Sequence, residues 1–198
     1  MQKDFCSPEI LLASFFSTRE QEPALLLLVG GSGAGKTTWC RNLVRIAQSR
    51  GLRVGGLLSP AVFQGDHKTA INLLDIQSGE RRLLAIRRQF TARRPLQEAA
   101  AAPENGRPAT GEWLFHPQVL TWGKNLLART GPLDLFVFDE AGPLEYEHGQ
   151  GLVSGLERLD ARRDRLAVAT VRPGLYPQAA ERWPWARLVE LEVCEAVA

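Results

Sequence analysis

The chain has 198 residues, enough for one domain with a sizeable core, and its 44% hydrophobic and 23% charged content is that of an ordinary globular protein. A net charge of +2 supplies no strong field to recruit nucleic acid or an anionic membrane. Cys6, Cys40 and Cys194 form no Cys-x-x-Cys pair, and His67, His116 and His148 show no ligand spacing, which argues against a disulfide framework or a zinc site and for the cytoplasm.

Residues 1–22 carry Phe5, Ile10, Leu11, Leu12, Phe15 and Phe16 and read as an N-terminal arm that covers a sheet edge or a helix, or that offers a surface to a protein partner. A single domain is expected over 23–198. "ALLLLV" (24–29) is a continuous apolar run, the pattern of a strand buried on both faces in a parallel sheet. "TTWCRNLVRIAQSR" (37–50) has helical spacing and ends at Gly51. "LRVGGLLSPAVF" (52–63) reads as one strand, and "TAINLLDI" with "RRLLAIRR" as an antiparallel hairpin around "QSGE". Residues 91–112, rich in Pro, Ala and Gly, read as a mobile loop or lid, with a short helix near Glu98 to Ala102. Beyond it come a helix at 117–130, a buried strand "LDLFVFDE" (133–140) and a helix at 149–163. A strand at 165–171, a short helix at 175–183 and a strand at 186–193 complete the pattern.

The chemistry gathers at three of these boundaries. "GGSGAGKT" (30–37) fits G-x-x-x-x-G-K-[ST] and falls between a strand and a helix. Glycine lets successive backbone N–H groups converge on one point, and a helix N-terminus adds its positive dipole end there. Gly31, Ser32, Gly33, Ala34, Gly35, Lys36, Thr37 and Thr38 are the candidate phosphate cradle. Lys36 would reach the β- and γ-phosphates, and the Thr37 hydroxyl would ligate Mg²⁺. Asp139 closes a second apolar strand and is the other candidate Mg²⁺ ligand; Glu140 beside it would activate a water. "ATVRP" (169–173) puts Thr170 where it would sense a γ-phosphate, and Arg172 where it would stabilise charge on the phosphates or simply lie on the surface. Trp39 reads as core packing in preference to a base contact.

Four stretches together resemble the THEP1-type nucleoside-triphosphatases, a branch of the P-loop NTPases. They are "GGSGAGKTT" (30–38), the strand-and-hairpin stretch 56–85 with its small–Pro pair and D-x-x-[ST]-G-E turn, "VFDEAGPLE" (137–145) and "ATVRP". The resemblance implies a three-layer α/β/α RecA-like fold with a mostly parallel sheet and an antiparallel hairpin extension. It also implies Mg²⁺-dependent hydrolysis of ATP, GTP and other nucleoside triphosphates. Lys36 and Thr37 take the family's phosphate and Mg²⁺ roles, Asp139 a Mg²⁺ role and Glu140 the water role, while Glu145 matches a family position without an assigned role. Two other readings stay open: a small-molecule or nucleotide kinase, and a nucleotide-gated interaction protein working through the arm. The chain is expected to be a monomer or weak homo-oligomer that binds neither nucleic acid nor membrane.

Overall fold

The computed structural model describes residues 7–17, 22–93 and 108–191; the side chains of 91–93 and of Glu140 are outside that set. Helix α1 (Pro8–Phe16) precedes strand β1 (Ala24–Val29), the glycine-rich loop and helix α2 (Lys36–Ser49). Strands β2 (Val54–Leu58), β3 (Ala61–Gln64), β4 (His67–Asp75) and β5 (Arg81–Arg87) follow, then a 3-10 turn at Arg88–Arg93. After it come β6 (Ala109–Thr110), β7 (Trp113–Phe115), α3 (Pro117–Arg129), β8 (Leu135–Ala141), α4 (Pro143–Tyr146) and α5 (Val153–Asp160). The last elements are β9 (Leu166–Val171), α6 (Tyr176–Arg182) and β10 (Arg187–Glu190).

One sheet carries all ten strands in the order β10-β1-β9-β8-β2-β4-β5-β7-β6, with β3 paired to β4. From β10 to β2 every pairing is parallel, and from β2 to β6 every pairing is antiparallel. The expected RecA-like sheet with an antiparallel extension is therefore present. Strand β9 lies between the P-loop strand β1 and the acid-bearing strand β8.

The leucine run of β1 shows why the parallel half reads as unbroken hydrophobicity. Successive side chains of a strand point to opposite faces. Leu25, Leu27 and Val29 join the core cluster of Leu120, Leu156 and Ala179 from α3, α5 and α6. Leu26 and Leu28 join the opposite cluster, with Leu11 and Leu12 of α1 and Trp39 and Leu43 of α2. Both faces are covered, so neither parity can be polar. The arm is docked: Leu11 and Leu12 are fully buried, and Trp39 is a core side chain.

Two local readings change. The segment 52–63 is two strands, because the chain turns at Ser59-Pro60, where the Ser59 amide bonds Asp139 and does not continue a ladder. Residues 108–112 belong to a two-stranded ribbon, β6 and β7, that extends the sheet beyond β5 through the Ala85–Phe115 to Arg87–Trp113 register. The expected helix near Glu98 to Ala102 falls outside the described residues.

A buried ion pair fixes the connection into β8. Arg158 of α5 donates from Nε and Nη2 to the Asp164 carboxylate at 2.9 and 2.7 Å, from Nη1 to the Thr130 carbonyl and from Nη2 to the Gly131 carbonyl. Asp164 also accepts from the Leu133 amide. Removing one member leaves the other charge buried and unpaired. Arg158→Leu is expected to cost about 3–5 kcal/mol, read by chemical denaturation; the double change Arg158→Leu with Asp164→Leu is expected to recover part of that loss.

Candidate active site

The P-loop is built by local backbone geometry. Gly33 and Gly35 have φ of +82° and +86°, a region costly for side chains with a Cβ. No atom would crowd a Cβ at either position, so the requirement for glycine comes from φ and not from space. Gly35 caps α2, whose first hydrogen bond runs from the Trp39 amide to the Gly35 carbonyl at 2.8 Å. The N-terminal amides and dipole of a 14-residue helix thus face the loop Gly31–Gly35. Lys36 Nζ donates to the Gly30 and Gly31 carbonyls at 2.6 and 2.8 Å, lying over the loop it is expected to serve.

Asp139 is 1% exposed, yet its oxygens are well supplied. Oδ1 accepts from the Thr170 hydroxyl at 2.8 Å, and Oδ2 from the Ser59 amide at 3.0 Å. The Ser59 hydroxyl returns a bond to the Asp139 carbonyl at 3.1 Å. Thr170 therefore orients the acid. Ser59 was not singled out by sequence; the small–Pro pair was the signal that marked its position. Thr170→Val is expected to lower stability by about 1–3 kcal/mol, the cost of stranding a buried acceptor, and to raise the Mg²⁺ concentration needed for activity. Thr170→Ser, which keeps the donor, is the control, with denaturation midpoints and Mg²⁺ titrations as the readouts.

The acid pair occupies a β-bulge. Phe138 pairs with Ala169 and Ala141 with Val171, so β8 advances three residues while β9 advances two. An extra residue of this kind breaks the strict alternation of faces and re-aims side chains. Glu140 belongs to this bulge; its side chain lies outside the described residues.

Cys40, one turn into α2, is fully buried. Burial pushes its thiol pKa well up, the Asp139 charge pushes it further, and the Lys36 ammonium opposes both.

Beyond the acids the chain turns through Gly142-Pro143. Glu145 is buried: its Oε2 accepts from the Gly142 amide at 3.0 Å and its Oε1 from the Leu152 amide at 2.8 Å. It clamps the loop that follows Asp139 and Glu140, a role its three-residue spacing from Gly142 signals as a helix cap. Arg172, just past β9, lines a small pocket of about 40 Å³ together with Ser59, Glu145 and Trp113. Its backbone stays beside the P-loop, where the Gly30 amide donates to the Val171 carbonyl at 3.4 Å.

For Mg²⁺ the donor set fits. Thr37 offers a hydroxyl and Asp139 a carboxylate already oriented by Thr170 and Ser59, both hard oxygen ligands. Among the described residues there is no cluster of three or more His, Cys, Asp or Glu that would cage a metal. Mg²⁺ keeps waters and takes substrate phosphates as ligands, so two protein oxygens are a sufficient donor set for it.

A glycine-rich loop opening a helix at the end of a parallel strand, with a buried acid two strands away, defines a P-loop NTPase. The chain matches the NTPase family model over residues 25–182 and belongs to that family. Its curated relatives include the nucleoside-triphosphatase THEP1 of Methanopyrus kandleri, 27% identical over 62% of this chain and 60% of that protein. The THEP1 of Caldivirga maquilingensis is 26% identical over 72% of this chain and 73% of the relative. The aligned stretch thus spans less than two thirds of the Methanopyrus protein. Among solved structures, a human cancer-related nucleoside triphosphatase superposes with a TM-score of 0.58 at 20% identity, over 84% of this chain and 88% of that one. THEP1 from Aquifex aeolicus superposes at 0.54 and 17% identity, over 84% and 89%. Both share the fold.

Proposed function

We propose that the chain hydrolyses nucleoside triphosphates, ATP and GTP among them, to the diphosphate and phosphate, with Mg²⁺ as cofactor, in the cytoplasm. One observation carries this reading: Lys36 lies over the glycine-rich loop that follows β1, and the buried Asp139, held by the Ser59 amide and the Thr170 hydroxyl, lies near the end of β8, two strands away in the same parallel run of the sheet. The curated relatives named nucleoside-triphosphatase support it.

In this reading the amides of Gly31 to Thr38 cradle the phosphates, and Lys36 exchanges its loop carbonyls for β- and γ-phosphate oxygens. Thr37 and Asp139 would hold Mg²⁺, which when bound neutralises charge developing on the phosphates. Glu140 accepts the proton of the attacking water, whose oxygen bonds the γ-phosphorus as the bridging oxygen leaves on the diphosphate. Arg172 adds positive charge at the far end of the phosphate chain. No nucleic acid or membrane enters this scheme; no helix among the described residues is long and apolar enough to cross a membrane.

The test is product analysis. Protein incubated with a panel of triphosphates is expected to release diphosphate and inorganic phosphate with Mg²⁺ and none after chelation. Absence of phosphate release from every triphosphate would sink the proposal.

A second reading rests on the arm. Helix α1 packs Leu11, Leu12 and Phe15 into the cluster containing Trp39, Cys40 and Leu43 of the helix that begins at the P-loop. A nucleotide-dependent shift of α2 would be felt by α1, and through it by a protein partner. Limited proteolysis of the arm with and without Mg²⁺-triphosphate tests this; an unchanged cleavage pattern argues against it.

A further inference from the structure

Strand β8 has one residue of slack at its acids. Phe138 pairs with Ala169 and Ala141 with Val171, so two residues of β8 stand opposite the single Thr170 of β9. A slip of one residue would restore regular pairing and turn the side chains beyond it to the other face. On the N-terminal side of the slack, Ser59 and Thr170 hold the Asp139 carboxylate. The ladder to Val171 does not by itself forbid the slip, because either register satisfies the backbone. The chain leaving the bulge therefore needs an anchor of its own.

Glu145 supplies it. Its Oε2 accepts at 3.0 Å from the Gly142 amide, the next one after the last paired residue of β8. Its Oε1 accepts at 2.8 Å from the amide of Leu152, the residue that opens α5. Helix α5 is itself fixed by the buried pair of Arg158 and Asp164. One buried carboxylate thus ties the exit of the acid strand to the start of an anchored helix. The loop between them is shaped around that carboxylate. Gly149 and Gly151 both have left-handed φ, +59° and +68°. A Cβ at Gly149 would meet nothing within 4 Å, whereas one at Gly151 would stand 2.2 Å from Glu145 Oε1. The two glycines carry the same kind of backbone demand, and only Gly151 leaves room for the carboxylate.

We propose that Glu145 is a positioning residue for triphosphate hydrolysis: it pins the bulge in the register that carries Asp139 and Glu140. The inference rests on the hydrolysis proposed above. Glu145 acts through the backbone of β8, since each of its oxygens binds a main-chain amide. Its effect falls on the chemical step, because the P-loop belongs to β1 and α2 and Asp139 keeps its own donors, Ser59 and Thr170. A displacement of about 1 Å in a reacting group is worth up to about a hundredfold in rate. Glutamine is nearly isosteric with glutamate, but it offers one carbonyl oxygen and one NH₂. The NH₂ meets an amide donor, so one of the two ties is lost. A methyl at Gly151 reaches the same end with Glu145 still present, because the far end of a side chain gives way more readily than backbone.

The full chain is compared with Glu145→Gln, Gly151→Ala and Gly149→Ala. Single-turnover phosphate release is measured with protein in excess over Mg²⁺-ATP, and affinity by calorimetric titration with a non-hydrolysable ATP analogue and Mg²⁺. A single-turnover rate constant does not depend on the folded fraction, so a merely destabilised protein leaves it unchanged. Glu145→Gln and Gly151→Ala are each expected to lower that constant roughly tenfold or more, with affinity kept within about threefold. Gly149→Ala, which meets the same backbone cost without touching Glu145, is expected to stay within about twofold of the parent rate constant. A Gly151→Ala no slower than Gly149→Ala, or a Glu145→Gln at the parent's rate constant, overturns the inference and leaves hydrolysis standing. A loss of affinity as large as the loss of rate overturns it too, since Glu145 would then act on binding. Should Glu145→Gln not fold, the two glycine variants decide alone. No phosphate release from the parent overturns the hydrolysis reading itself, and this inference falls with it.

Discussion

Glu140→Gln is expected to lower the hydrolytic rate roughly 10²- to 10⁴-fold, the usual worth of a positioned general base, while leaving triphosphate affinity within a few-fold of the unaltered protein. The amide is close in size to the carboxylate and can still hydrogen-bond a water, but it cannot take the proton. Asp139 stays in place through Thr170 and Ser59, and the P-loop is untouched, so binding survives. Single-turnover phosphate release and equilibrium titration with a non-hydrolysable triphosphate separate the two quantities. Comparable losses in both would mean that Glu140 acts on binding; an unchanged rate would remove it from the chemistry.

Gly56→Ala is expected to be the most damaging single methyl in the described chain. Gly56 of β2 has φ +115°, and a Cβ there would stand 2.0 Å from the Val137 carbonyl oxygen of β8. That atom belongs to backbone inside a parallel ladder, where Gly56 faces Val137 in register, so it cannot swing aside. Backbone strain and overpacking add to about 3–5 kcal/mol, on the order of a 10 °C fall in melting temperature for a chain of this size. Gly174→Ala, where nothing lies within 4 Å of the added carbon and φ is ordinary, is the control and should melt within a degree or two of the parent. Because Val137 lies two residues before Asp139, activity is expected to fall with the fold.

The contrast between these positions explains what the sequence makes readable. The phosphate loop is legible because its function dictates residue types at fixed local spacing, from Gly30 to Thr37. The RecA-like half is legible because a sheet covered on both faces leaves no polar parity in "ALLLLV" or in "LFVF" before the acids. Gly56 is opaque: its reason is a carbonyl some eighty residues away. Ser59 and Thr170 are opaque in role for the same cause. A serine before proline and a threonine ending a strand look ordinary until Asp139 arrives between them from a third strand. The bulge at Asp139 and Glu140 leaves no trace in composition, since it exists only as a mismatch of count between β8 and β9. The ribbon β6–β7 was hidden by its shortness and by its position after a Pro- and Gly-rich stretch.

In the proposed reaction Asp139 and the P-loop serve one metal-bound triphosphate. Calorimetric titration with a non-hydrolysable triphosphate, with and without Mg²⁺, on the parent and on Asp139→Asn, tests this most directly. The account predicts that Mg²⁺ tightens binding at least roughly tenfold in the parent, and that most of this gain vanishes in Asp139→Asn while metal-free binding changes little. An equal Mg²⁺ effect in both proteins, with Asp139→Asn still folded, would contradict it.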